Sequence, residues 1–261
     1  MVLITSNGLE YYQFDSFADF PIVHGVFSRK GGVSPEPWSS LNLGGTVGDT
    51  RSNVIENRKR IFDGIGREVS SHFDVWQVHG TEILIPLQPR GYNEPHLRAD
   101  GILTDKPKIT LLMRFADCVP IMLYDPKKHV AGLVHAGWQG TVKKIAAKAV
   151  EKMQESFQCD PKDIHAGIGP SIGPDHYEVQ KDVIERFQGV FGKEETKNFI
   201  SSYEQKLTLD LWKANEFVLR KAGVENIEIS GICTACDLTR WYSHRAENGL
   251  TGRFGAVIGL K

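Results

Sequence analysis

The sequence predicts an α+β fold in which mixed sheets are covered by helices, layered into a single domain over residues 1–261. Three observations carry that expectation. Short apolar segments bounded by Gly, Pro or Asp alternate along the chain with longer segments of helical periodicity. No linker, low-complexity run or internal repeat interrupts them. A chain of 261 residues, 41% hydrophobic and 24% charged, has a globular balance that buries a core without a staple.

Strands are expected near residues 22–27, 75–78, 83–86, 109–115, 119–124, 130–135, 164–168, 227–230 and 254–260. Ser52 caps a first helix in which Val54, Ile55, Ile61, Phe62, Ile65 and the stem of Arg58 recur at helical spacing, ended by Gly64 and Gly66. Thr141 opens a second, with Val142, Ile145, Ala146, Ala149, Val150, Met153 and Phe157 on one stripe. A third runs from Leu211 to Ala222 and stops at Gly223, and residues 237–242 read as a further strand. Two connections, 28–45 and 167–174, are rich in glycine but match neither a Walker loop nor a dinucleotide fingerprint. They are tight turns, or loops that bring backbone N–H groups close to a ligand.

A formal net charge of −1 provides no basic field for nucleic acid or for an anionic membrane, so the ligand class left is a small molecule. No apolar stretch approaches the roughly 20 residues of a membrane span. Met1–Thr5 has a short apolar run without a basic flank, and Cys118, Cys159, Cys233 and Cys236 are too few and too unevenly placed for a disulfide scaffold. A reducing, cytoplasmic setting is expected. Oligomeric state has no signature here.

Three segments place a soft or imidazole group at the end of an expected strand: Gln77-Val78-His79-Gly80, Ala116-Asp117-Cys118-Val119-Pro120 and His135-Ala136-Gly137-Trp138. Separations of 39 and 17 residues are far from the knuckles of structural zinc fingers and suit ligands gathered from different strands around a pocket. His79, Cys118 and His135 therefore form a candidate metal site, zinc for preference, with the fourth position open to water or substrate. Copper suits the same donors and binds more tightly. Cys233 and Cys236 invite a redox or zinc-ribbon reading, but the sequence offers no second ligand pair, and they are left as structural or pocket-lining.

The chain resembles the laccase-like, multicopper-polyphenol-oxidoreductase-like family, understood as purine nucleoside phosphorylases with adenosine deaminase activity. The likeness runs in order through Ser28–Ser34, Ser40–Gly44, Gln77–Gly80, Ala99–Gly101, Ala116–Pro120, His135–Trp138, Ile168–Ile172, Tyr177–Val179, Cys233–Cys236, Tyr242–Arg245 and Thr251–Arg253. It implies metal ligands at His79, Cys118 and His135, and as substrates phosphate with adenosine, inosine, guanosine or methylthioadenosine. One departure is Gln139-Gly140, where the family pattern has Arg-Gly. The chain contains no His-x-His element, which sets it apart from true multicopper oxidases.

The implied reactions are phosphorolysis at the ribose anomeric carbon and hydrolytic removal of the adenine amino group. Each needs a proton carrier, for which Asp117 beside Cys118 is the first candidate and Glu178 the second. Phosphate capture favours arginine, with Arg29 first, then Arg245 and Arg253. Asn42 is a candidate for ribose or base edges, and Trp138 and Tyr242 for stacking on the purine. Three rival readings use the same residues. A metal-free cysteine hydrolase would take Cys118 as nucleophile and His135 as base but leaves His79 unexplained. The others are a copper-dependent polyphenol oxidase and a non-catalytic metal-stabilised binding module.

Overall fold

The computed structural model describes residues 1–203 and 206–261. In chain order the strands begin with β1 (Val2–Ser6), β2 (Leu9–Gln13), β3 (Ile22–Phe27), β4 (His72–Phe73), β5 (Ile83–Leu84), β6 (Gly101–Thr104) and β7 (Thr110–Phe115). They continue with β8 (Val119–Asp125), β9 (Val130–Ala136), β10 (His165–Ile168), β11 (Ile200–Tyr203), β12 (Lys206–Leu209), β13 (Asn226–Ile229) and β14 (Phe254–Leu260). The helices are α1 (Arg51–Gly64), α2 (Trp138–Val142), α3 (Ile145–Phe157), α4 (Lys181–Phe191), α5 (Lys193–Thr196) and α6 (Leu211–Lys221). One sheet has the order β1-β2-β3-β14-β7-β4 and another β13-β10-β8-β9-β6-β5, with β11-β12 a separate ribbon. Both large sheets are mixed: β4·β7, β5·β6 and β10·β13 are parallel, among otherwise antiparallel neighbours.

Strand periodicity builds the layers. In β7, Leu111, Met113 and Phe115 enter a core shared by the two sheets, while Leu112 turns to the opposite face, where Ile61 and Phe62 of α1 pack. In β8, Met122 and Tyr124 face the shared core, and Val119, Ile121 and Leu123 pack under α3 and α6 with Ala149, Met153, Ala214 and Val218. The central strands are thus buried on both faces, which is why they read as continuous apolar runs rather than alternating ones. The expected α+β class with helix-covered mixed sheets is the one observed.

Several boundaries differ from expectation for local reasons. Residues 75–78 contribute only an isolated bridge, Trp76 to Arg98, because the N–H groups of Val78, His79 and Gly80 turn to the carboxylate of Asp100 instead of to a strand. The helix expected from Thr141 breaks into α2 and α3 at Lys144, whose φ is 58°. Residues 237–242 are turns: Asp237 accepts from Thr239 N and Oγ1, and its carbonyl accepts from Arg240 and Trp241 N. The first helix starts a residue before Ser52, after Thr50. In α6, Asp210 caps the first turn through Lys213 N at 3.0 Å, and Gly223 follows at φ +92°.

Candidate metal centre and substrate cavity

Three chain segments converge at one end of the β8–β9 pair. His135 lies near the end of β9, Cys118 immediately before β8, and His79 in the turn after Trp76. One ligand atom from each lies within 4.8 Å of the others, and Cys118 Sγ is 3.8 Å from His79 Nε2. Zn–S and Zn–N bonds of about 2.3 and 2.0–2.1 Å in a tetrahedron would set an S···N edge of about 3.5 Å. Cys118 and His79 therefore stand near the spacing a single metal ion requires, with the His135 donor within 4.8 Å of both.

Asp100, wholly buried just before β6, organises the group. Its carboxylate accepts from Val78 N (3.1 Å), His79 N (3.0 Å) and Gly80 N (2.7 Å), which fixes the turn that carries His79 at φ 56°. The same carboxylate accepts from His135 Nδ1 at 2.8 Å, so the ring is oriented with Nε2 free for Cys118. An imidazole held from behind by a carboxylate is the usual support of a metal ligand. Gly137 lets the chain pass: a Cβ there would stand 2.8 Å from Cys118 Sγ and 3.2 Å from His79 Cδ2.

Burial alone would push the Cys118 thiol up, but His135 and His79 beside it outweigh burial and bring it down to about 6. Burial likewise opposes protonation of His135, yet Cys118 and Asp100 raise it to about 9. Burial works against the ionised form of Asp100 too, but its bond from His135 and the backbone N–H groups hold its carboxyl below the ordinary range. The sulfur is thus poised as thiolate, the form that binds metal or attacks a substrate. A Cys–His dyad uses only His135, whereas His79 Nε2 also faces the sulfur. Two imidazoles and one thiolate fit a catalytic zinc with an open fourth position.

His79, Cys118 and His135 line a cavity of about 420 Å³. Its wall carries Arg58, Arg114, Arg253, His96, His244 and Trp76 beside the triad. Beneath lies Asp74, fully buried, paired with Arg90 (2.5 Å), Arg114 (2.9 Å) and Arg58 (3.3 Å) and bonded by His96 Nε2 at 3.1 Å. Burial opposes the charge on Asp74, but His96 and the guanidinium groups hold its carboxyl far below the ordinary range. Of the three guanidiniums around Asp74, Arg58 and Arg114 line the cavity, and with Arg253 they outnumber that carboxylate by two positive charges. The cavity suits an anion.

The other sequence candidates lie around this centre. Arg253 lines the cavity, and Asn42 supports it by accepting from Arg253 N through Oδ1. Arg29 lies elsewhere: its guanidinium pairs with Glu247 at 3.0 Å, donates to the carbonyls of Ser39 and Leu238, and stacks over Tyr242. Tyr242 is buried and donates its hydroxyl to Trp38 O. Trp138, Arg245, Tyr177 and Glu178 line a separate groove. Both oxygens of Asp117 are engaged, one by Thr234 Oγ1 (2.8 Å) and the other by Arg245 N (2.7 Å). Sequence reasoning assigned no chemistry to Asp100, Arg58, Arg114, His96 or His244. A charged residue inside the apolar run Leu111–Phe115 was the available signal for Arg114.

Comparison with known proteins places this geometry among relatives. The family model described as multi-copper polyphenol oxidoreductase laccase matches residues 23–261. A curated protein of Bacillus subtilis, named purine nucleoside phosphorylase YlmD, is 36% identical over 249 residues, covering 92% of this chain and 89% of that protein. A purine nucleoside phosphorylase of Deinococcus radiodurans is 37% identical over 258 residues, covering 98% and 95%. The crystal structure of YlmD from Geobacillus stearothermophilus superposes with a TM-score of 0.92 at 34% identity, covering 99% of this chain and 98% of that one.

Proposed function

The chain belongs to the multi-copper polyphenol oxidoreductase laccase family, and from that premise we propose that it is a zinc-dependent purine nucleoside phosphorylase that also deaminates adenosine. Residues 1–261 act in this reading as one catalytic domain, in a cytoplasmic setting that four unpaired cysteines suit. The observation that carries it is the opening of a His79–Cys118–His135 set onto an arginine-lined cavity. The relatives named purine nucleoside phosphorylase support purine nucleosides with phosphate as the substrate class, and within it the proposed nucleosides are adenosine, inosine, guanosine and methylthioadenosine.

Zinc bound there supplies a Lewis acid able to polarise a substrate atom or lower the pKa of water. Arg58, Arg114 and Arg253 bind the phosphate dianion, which suits forked guanidinium donors. Trp76, at the cavity wall, offers an apolar face to the purine. A phosphate oxygen then forms the new bond to the ribose anomeric carbon as the bond to the purine nitrogen breaks, and the departing nitrogen takes up a proton. His244, an imidazole in the wall, is the donor proposed for that proton, because Asp117 already accepts two hydrogen bonds. For deamination the same cavity holds adenosine with water in place of phosphate: the water oxygen bonds to the purine carbon that carries the amino group, the carbon–nitrogen bond breaks, and the amino group leaves as ammonia with a proton from that water.

The test is chromatography of products from inosine and adenosine, with and without phosphate. Hypoxanthine with ribose 1-phosphate from inosine only when phosphate is present supports phosphorolysis, and inosine from adenosine without phosphate supports deamination. Arg253→Ala should raise KM for phosphate at least tenfold while shifting KM for the nucleoside far less. Free ribose released equally with and without phosphate rules the reading out.

A further inference from the structure

We propose that Asp175, His176, Cys233 and Cys236 form a second metal site, structural rather than catalytic, taking a divalent transition metal such as zinc. The two cysteines sit in a Cys-Thr-Ala-Cys turn, and the fold brings to them two ligands 57–61 residues away that no motif announces. One donor atom from each of the four residues lies within 4.8 Å of the rest. His176 Nδ1 is 3.7 Å from Cys233 Sγ and 3.5 Å from Cys236 Sγ, Asp175 Oδ2 is 3.7 Å from Cys236 Sγ, and the two non-sulfur donors are 3.1 Å apart. Tetrahedral zinc with ordinary bond lengths sets S···N and S···O edges of about 3.6 Å and an N···O edge of about 3.4 Å. The observed separations depart from those edges by a few tenths of an ångström.

The backbone is shaped for the cluster. Gly173 N–H donates to Cys233 Sγ at 3.1 Å, as an amide does to a metal-bound thiolate. A Cβ on Gly173 would stand 2.7 Å from Asp175 Oδ1 and 3.2 Å from Cys233 Sγ, so only glycine permits the approach. His176 N and Tyr177 N both donate to Gly173 O, closing the turn that presents Asp175 and His176.

The site ties together two segments that support the first metal centre. Cys233 is bridged to Ser171, and Thr234 donates to Asp117, which precedes Cys118. A metal would pin the 173–177 turn against the 233–236 turn without touching the substrate cavity. The rival occupant of a Cys-x-x-Cys turn is an internal disulfide, which needs an oxidant and leaves Asp175 and His176 idle.

The test is metal content, by mass spectrometry of elements, of protein purified under reducing conditions without chelator, for wild type, Cys118→Ser, Cys236→Ser and Asp175→Asn. Cys236 and Asp175 are exposed, and circular dichroism checks that each variant is folded. We expect Cys236→Ser to lose one metal equivalent that Cys118→Ser keeps, and Asp175→Asn to release that equivalent faster to a competing chelator. Cobalt-loaded Cys118→Ser should show thiolate-to-cobalt charge transfer that disappears in Cys118→Ser/Cys236→Ser. Equal metal content in folded wild type and Cys236→Ser overturns the proposal. So does metal-free Cys118→Ser carrying a Cys233–Cys236 disulfide in its alkylated mass.

Discussion

At the scale of single residues, Asp100 decides whether three donors are a metal site or three neighbours. It fixes His135 from behind and the His79 turn from below, so its loss loosens two ligands at once. Asp100→Asn keeps the size but replaces one acceptor with a donor facing N–H groups. Metal affinity at the His79–Cys118–His135 set should fall about 10- to 100-fold, read by titration against a competing chelator. Unchanged affinity would mean that the ligands are held by other contacts. The grouping of His79, Cys118 and His135 was expected from soft donors near strand ends together with the family resemblance, and the fold brings their donor atoms within 4.8 Å of one another. Asp100 was not legible, since a lone Asp before Gly101 also reads as an ordinary turn residue. Arg58 was read only as a helix stem that packs, and its ion pair with Asp74 depends on a contact 16 residues away that no local pattern encodes.

At the scale of elements, candidate ligands His79 and Cys118 sit in chain turns and His135 near the end of β9, beside a turn with little side-chain volume. Gly137 is the residue before α2, and its missing Cβ is what lets the β9–α2 connection lie against Cys118 and His79. Gly137→Ala should leave the sheets folded and reduce metal binding at this set, since the added carbon falls on the sulfur. Far-ultraviolet circular dichroism and metal content measured together check it, and a fully metallated variant contradicts it. The long central strands were legible because burial on both faces makes them uninterrupted apolar runs. The β1–β2 hairpin carried a readable signal of its own, Asn7-Gly8 with φ values of 52° and 78° between two short strands. The short β6 and the β11–β12 ribbon lack enough periodic residues to stand out.

At the scale of the whole molecule, the layers between α1 and α3 bury groups whose charge state couples folding to pH. His24 on β3 is almost fully buried among Phe14 and Phe17, and its Nε2 accepts from Phe14 N at 2.9 Å. Burial lowers its pKa from 6.5 to about 4. Between those values the unfolded chain binds a proton that the folded one refuses, so the His24 contribution is lost as pH falls from above 6.5 toward 4. Integrated over that shift, the loss between pH 7 and 5 is about 2 kcal/mol. Denaturant unfolding of wild type and His24→Gln at both pH values isolates it, and an equal pH slope in the two proteins would refute it. The cavity and the candidate metal centre draw on both sheets: Arg114 from β7, Cys118 and His135 from the ends of β8 and β9, and Arg253 from the approach to β14. Function is therefore expected to require the intact layered fold.

In the proposed function, nucleoside cleavage depends on a metal held by His79, Cys118 and His135. That dependence is tested most directly by following hypoxanthine release from inosine in phosphate buffer for wild type and folded Cys118→Ser, with the bound zinc of each sample measured alongside. Turnover is expected in the zinc-loaded wild type, none without phosphate, and none in Cys118→Ser together with the loss of one zinc. Full turnover by Cys118→Ser lacking that zinc would contradict it.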